Sequence, residues 1–444
     1  MLAAPMHVNR IATVFVNGVK AGILTEYRAS QDLSARESYT FEYAPEYLLG
    51  GAPIGHHLPL AKAQYEFDSL PPFFTNLLSE GWLRTHQAQK ARLDKSDEFG
   101  LLCANGEELI GAVSVVAGEV ETLPRQRFVQ LPIPKPSTLK DKGVTIVGTS
   151  RSFNDYAVDH ANGHSISGVQ RKLMMKLDGQ QLVPTTRGGQ YIVKPAPEGV
   201  PHCPENEFFV MSLANKIGLK TAECGLIPFE DGELAYVTKR FDVLSKDERY
   251  FVEDGASLCL VHPKHKDSDA LSYETVLKRL SETAGNSKAV TLNLFLQVVF
   301  SYLVANNDLH LKNFSLMRKP SGQDATMDSL APIYDVLSLA PYPNFDRACF
   351  MSIGVLATEE GDEGYFSDAY EQFGFYTQSD FVQLGVNVGL PQALVKKQLE
   401  QLMGKLLKVI ESGFRTPLPD QMYATITDRI RERCRAVELP YDEA

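Results

Sequence analysis

Residues 292–305 are almost continuously apolar, and the chain then breaks into the polar run NNDLHLKN at 306–313. The apolar stretch predicts a buried helix. The polar cluster therefore begins where that helix ends. Asn, Asp, His and Lys groups at the edge of a core are costly unless they find partners. Turn hydrogen bonds are one such use. A cation and phosphate oxygens are another, and the residues that follow point to them.

Asp308, Asn313 five residues later and Asp335 in Ile333-Tyr334-Asp335 stand in the order found in protein-kinase active sites. There the first Asp orients a substrate hydroxyl, and the Asn and last Asp hold magnesium on the nucleotide phosphates. Phosphoryl transfer from ATP with Mg2+ is the reaction expected. Within the run, Lys312 is expected to neutralise the transferring phosphate and His310 to brace the loop through hydrogen bonds. No Gly-x-Ser-x-Gly elbow supports a hydrolase.

Lys194 ends a β-branched and aromatic stretch that Pro195 stops, where a kinase lysine meets the phosphates; as an edge-strand lysine it would simply face water. Glu207 lies near the start of a helix expected over about 205–217. It is placed to pair with Lys194 or merely to favour the positive helix end. In HSISGVQRK, residues 164–172, Ser165, Ser167, Gly168, Gln170 and Lys172 suit a phosphate loop, although no glycine-rich fingerprint is present. Lys239 and Phe241 in AYVTKRFD fall at the expected hinge and are assigned to adenine, through main chain more than side chain.

Composition narrows the alternatives. A formal net charge of -11 argues against direct grip on DNA or an anionic membrane. Six scattered cysteines without a CxxC pair argue for reduced thiols. His262 and His265 lack companions at metal-ligand spacing and are read as solvated. The N-terminus has no signal-peptide core, and no apolar stretch reaches about 18 residues, so a soluble cytoplasmic protein is expected.

Asn17-Gly18 between two strand-like segments predicts a tight hairpin. Strands are expected at 38–43 and 109–116, and a helix at 73–80 ended by Gly81. Proline and basic residues then suggest a linker. Strand-like segments follow at 172–177, 190–194 and 235–238, and after them a mainly helical region. There Pro391 opens, and Gly413 closes, an amphipathic helix. The expected organisation is residues 1–120 as an α+β subdomain, 121–142 as linker, 143–242 as a kinase small lobe and 243–444 as a helical large lobe.

Taken together, SISGVQRKL, YIVKP, ENEFFVMSLANKIGL, KRFD, NNDLHLKNFSL and PIYDVLSLAP resemble, in order, the core of the HipA family of bacterial serine/threonine kinases, the toxin halves of HipB/HipA toxin–antitoxin modules. VFVNGVKAGIL, FEYAPEYL, HLPL, FFTNLLSEGWLR, FGLL and GAV extend the resemblance through the N-terminal region. The resemblance implies a mixed α/β (α+β), two-lobed kinase-like fold with an added N-terminal β-rich subdomain and a helical C-terminal lobe. It also implies Lys194 on ATP phosphates, Asp308 as catalytic aspartate, Asn313 and Asp335 on magnesium, and autophosphorylation of Ser165, with Ser167 a second candidate. A HipB-like helix-turn-helix antitoxin is the implied partner, DNA being contacted only through it, and an aminoacyl-tRNA synthetase is the implied protein substrate. The sequence departs from the family's pattern at Arg171, at Asn307 and in lacking a glutamine near Ser257. A small-molecule kinase of similar fold and an inactive, antitoxin-binding corepressor are the alternative readings.

Overall fold

The computed structural model describes residues 6–29, 37–123, 133–153, 172–185, 188–245, 248–343 and 351–439. Its first sheet is antiparallel and runs β4-β3-β2-β1-β5, with β1 His7–Val16, β2 Val19–Arg28, β3 Glu37–Tyr43, β4 Gln64–Phe67 and β5 Val113–Ala117. Asn17 (φ 47°) and Gly18 (φ 80°) both take left-handed conformations between β1 and β2, as a two-residue hairpin requires. Phe41, Phe74, Phe99 and Leu102 are buried together beneath this sheet and give the N-terminal unit its own core.

The expected strand at 109–116 begins late, at Val113. Gly111 (φ 81°) breaks the extended run, its N–H donates to Asp242 Oδ2 at 2.8 Å, and Leu109 O accepts from Arg240 and Arg249. The expected helix at 73–80 is shorter, Pro72–Thr75, and Gly81 opens the next helix, Gly81–Ala91, instead of ending the first. The cause is local: Asn76 turns its amide back onto Pro72 O and across to Val261 O, which ends the turn there. Inside the stretch expected as linker, Pro136–Asp141 form a helix packed on the strand Cys224–Pro228.

A six-stranded sheet follows in the order β10-β11-β9-β7-β8-β6, comprising β6 Thr145–Ile146, β7 Leu173–Asp178, β8 Gln181–Pro184, β9 Tyr191–Lys194, β10 Cys224–Pro228 and β11 Leu234–Lys239. Its neighbours are antiparallel except β6 and β8. The Cys203–Lys216 helix packs on β10 and β11 and ends at Gly218 (φ 93°), a left-handed cap that favours glycine. The remaining described chain is mainly helical around one large core. The Lys288–Leu303 helix is buried almost all round, as its apolar run predicts, and Ala305 (φ 56°) turns the chain at its end. The Gln392–Glu411 helix buries Val395, Leu399, Leu402, Met403, Leu406 and Ile410 between Pro391 and Gly413, as expected from its period. No described helix is long and apolar enough to cross a membrane.

Candidate active site

The polar run after the buried helix is held from several sides. Tyr273 Oη donates to Leu309 O at 2.6 Å, Gln297 Nε2 to Asn313 O at 3.0 Å and Tyr334 Oη to Lys312 O at 2.8 Å. Leu311–Asn313 form a single tight turn, and β13 Ser315–Arg318 then pairs with β12 Phe251–Asp254. Three fixed carbonyls and a strand therefore set the direction of the Asp308, His310, Lys312 and Asn313 side chains.

The Ile333-Tyr334-Asp335 segment approaches from the other side. Ile333 exchanges backbone hydrogen bonds with Lys220 and Ala222. Beyond Asp335, Ser338 exchanges two hydrogen bonds with the buried Asn206 amide, at 2.8 and 3.0 Å. Between these anchors Asp335 takes a left-handed conformation (φ 58°), uncommon for a residue with a side chain but better tolerated by Asp than by most.

That geometry brings Asp335 to Lys194. The Lys194 ammonium donates at 2.7 Å to Asp335 Oδ1 and at 2.7 Å to Glu207 Oε1. Lys194 and Glu207 are buried, whereas Asp335 keeps about a third of its side chain (31%) open to the cleft. Glu207 lies in the second turn of its helix, not the first, because the helix begins at Cys203. Burial would lower the Lys194 pKa, but Asp335 and Glu207 override it and keep the ammonium charged. Burial likewise opposes ionisation of Asp335, yet Lys194 and then Lys172 hold its carboxyl well below the usual range. Glu207 is raised by burial, so Asp335 is the stronger acid of the two.

Lys172, Lys194, Glu207, Lys239, Phe241, His310, Lys312, Asn313 and Asp335 all line one open cleft. Lys172 is buried, and desolvation with the nearby Lys194 charge brings its ammonium down to about 8. Asn313 Nδ2 donates to Asp308 O at 3.2 Å and to Asp335 O at 3.4 Å, which leaves its amide oxygen as the atom available to a cation. Asp308 is not among the residues that line the cleft: its carbonyl is tied to Asn313 there, and its side chain is exposed. Surrounding protein and the charge of Asp335 push its carboxyl up to about 6 against the pull of Lys266. Ser165, Ser167, Gly168 and Gln170 lie outside the described residues.

Four expectations change. Lys312 is not turned to a phosphate: its buried ammonium donates to Asp254 Oδ2 (2.6 Å), Asn76 O (2.9 Å) and Asn76 Oδ1 (3.2 Å), which uses all three of its protons. His310 does not brace the loop through Nδ1, which is buried without a hydrogen-bond partner, and desolvation lowers the ring to about 3, so it is neutral. The Lys239 N–H cannot meet adenine, because it donates to Glu223 O at 2.8 Å, and Arg240 N is taken by Gln190 O at 3.0 Å. The Lys239 ammonium pairs with Glu223 at 2.9 Å, and Phe241 offers its ring, stacked on Tyr334 at 5.5 Å. His262, expected in solvent, is half-buried against Glu98 Oε1 at 3.0 Å.

Sequence reasoning missed several further groups of the cleft wall. Arg240 and Arg249 share Glu108 and Asp242 in a buried four-charge cluster of zero net charge, with Arg240 at 3.0 Å from Glu108 and 2.5 Å from Asp242. Asp254 and Asn76 were missed as well. Asp254 at the head of Gly-Ala-Ser carries a helix-cap signal, and it does accept from Ser257 N at 2.8 Å. Asn76 in FFTNLL carries none, because its partner lies 236 residues away.

The chain matches two family models, the HipA N-terminal domain over residues 12–116 and the HipA-like C-terminal domain over residues 164–410. A Haemophilus influenzae protein named "Putative kinase" is 29% identical over 287 residues, 62% of this chain and 82% of that one. The serine/threonine-protein kinase toxin HipA of Shewanella oneidensis is 23% identical over 339 residues, 71% of this chain and 74% of that one. A solved structure of Shewanella oneidensis HipA, from a complex with HipB and operator DNA, superposes with a TM-score of 0.67 at 19% identity over 96% of each chain and shares the fold. With its second model alone spanning more than half of the sequence, the chain belongs to the HipA family.

Proposed function

We propose that this protein is an ATP-dependent serine/threonine protein kinase and the toxin of a type II toxin–antitoxin pair. The observation that carries the reading is the Lys194 ammonium held between Glu207 and Asp335, with Asn313 bonded to the main chain of both Asp308 and Asp335. This donor set fits magnesium-bound ATP. Two ammonium groups, Lys172 and Lys194, line the cleft where phosphates would lie, and an ionised carboxylate and an amide oxygen are available to a hard cation. Bound ATP with its metal supplies the transferable phosphoryl group.

The chain's own residues would do the rest. Lys172 and Lys194 bind and orient the phosphates, Glu207 fixes Lys194, and Asp335 and Asn313 hold the cation. Asp308 holds the substrate hydroxyl and takes its proton on a carboxylate oxygen. Phe241 and Tyr334 offer aromatic surface to the base.

A HipB-like helix-turn-helix antitoxin is the partner proposed. The Shewanella complex supports it, and a net charge of -11 fits operator contact through a basic partner instead of this chain. The substrate proposed is an aminoacyl-tRNA synthetase, met in the cytoplasm. Autophosphorylation of Ser165 or Ser167 would add roughly -1.5 to -2 charges to the loop that receives ATP phosphates and so switch the enzyme off. Phosphoproteomics after brief expression, comparing the parent with Asp308→Asn, tests this. A phosphosite on a synthetase or another protein that appears only with the parent is expected. Identical phosphoproteomes would reject the reading.

A further inference from the structure

The polar run is braced from an unexpected direction. Asn76 belongs to the N-terminal unit, yet its carbonyl and its side-chain oxygen both accept from the Lys312 ammonium, at 2.9 and 3.2 Å. Asn76 is itself fixed, because Nδ2 donates to Pro72 O at 2.9 Å and Val261 O at 3.0 Å. Four residues on, Glu80 Oε2 accepts from Lys266 Nζ at 2.7 Å, and the Lys266 carbonyl accepts from Leu311 N at 3.0 Å. Two ties thus run from one short N-terminal segment to consecutive residues, Leu311 and Lys312, between Asp308 and Asn313. Asn76 and Lys312 are both buried, 7% and 2% exposed, so water is a poor substitute for the lost partner.

We infer that Asn76 is a positioning residue: by holding Lys312 it fixes the turn that carries Asp308 and Asn313, and so couples the N-terminal unit to the phosphoryl-transfer site. Its effect on catalysis rests on the kinase reading; its effect on the loop does not. Asn76 lies beside the cleft but reaches the reacting atoms only through Lys312. Its loss therefore changes the turnover step more than nucleotide affinity. Glu80 carries the parallel tie through Lys266, so loss of Asn76 loosens the loop without releasing it.

The test uses the full chain with magnesium and γ-phosphate-labelled ATP, reading label transferred to protein, together with amide hydrogen exchange at 308–313. Asn76→Ala is expected to lower kcat about tenfold with KM for ATP within about twofold, and to speed exchange in the loop about tenfold. Lys312→Met, which also loses the bond to Asp254, is expected to change both readouts at least as far, with no added effect when Asn76→Ala is combined with it. Asn76→Asp sets a carboxylate oxygen against the Pro72 and Val261 carbonyls that the amide now satisfies, and is expected to restore neither readout. Additive effects, or parental exchange in Asn76→Ala, would overturn the inference. Full activity of Asp308→Asn would instead reject the kinase reading, and the exchange data would still decide the role of Asn76.

Discussion

Lys194 Nζ lies 2.7 Å from Asp335 Oδ1 across 141 residues of sequence, and this contact joins the six-stranded sheet to the helical part of the molecule at the cleft. Replacing Lys194 by Met removes a phosphate contact and this brace together. Phosphoryl transfer should fall by about 10²-fold or more, measured as label incorporated from ATP. The variant should also lose about 3 kcal/mol or more of stability, because buried Glu207 is left uncompensated. Lys194→Met/Glu207→Gln should unfold at higher denaturant than Lys194→Met while remaining inactive. Equal midpoints would mean that Glu207 is not charged in the folded protein.

The ionisation of the cleft sets a pH profile. Asp308 must be deprotonated to take a proton, and its carboxyl is raised to about 6, so kcat should climb as pH rises through 6 and level off above it. Lys172, lowered to about 8, binds phosphate only when charged, so ATP affinity should weaken as pH rises beyond 8. A kcat that falls across pH 5 to 7, as for a required acid, would contradict the role given to Asp308.

The Glu108 and Arg240 pair, 3.0 Å apart and buried, tests how the N-terminal unit is fastened to the end of β11. Glu108→Ala leaves Arg240 and Arg249 sharing only Asp242 and should cost about 3–5 kcal/mol, read from urea unfolding. Asp242 is depressed to about 2: burial opposes its ionisation, but Arg240 overrides it. Its contribution is therefore complete above the unfolded value near 4 and is lost as pH falls toward 2. A change below about 0.5 kcal/mol in Glu108→Ala would show that the cluster is not a fastening.

Incubation with ATP and magnesium should add one phosphate mass to a peptide containing Ser165 or Ser167, followed by a decline in turnover. Asp308→Asn should show neither. A parent that slows without any mass gain on these serines would exclude this form of self-inhibition.

Much of the cleft was legible because its parts are local. The apolar run ending at Ala305, the strand stopped by Pro195 and the spacing of Asp308 and Asn313 are short-range patterns, and each dictates an element and its end. The Asn17-Gly18 hairpin was readable for the same reason. What escaped depends on distant partners. Lys312 reads as a free cation until Asn76 is seen to meet it, and the strand at Val113 starts late because Asp242 captures the N–H of Gly111. Gly81 illustrates an ambiguity of type: a glycine marks a helix boundary, but sequence does not say which side of it the helix lies.

Transfer of label from γ-phosphate-labelled ATP to protein, with magnesium present, addresses the central claim most directly when the parent is compared with Asp308→Asn and Asp335→Ala at matched folding. The account predicts labelling by the parent that both substitutions reduce at least about 10²-fold. Labelling at parental level in both variants would contradict it.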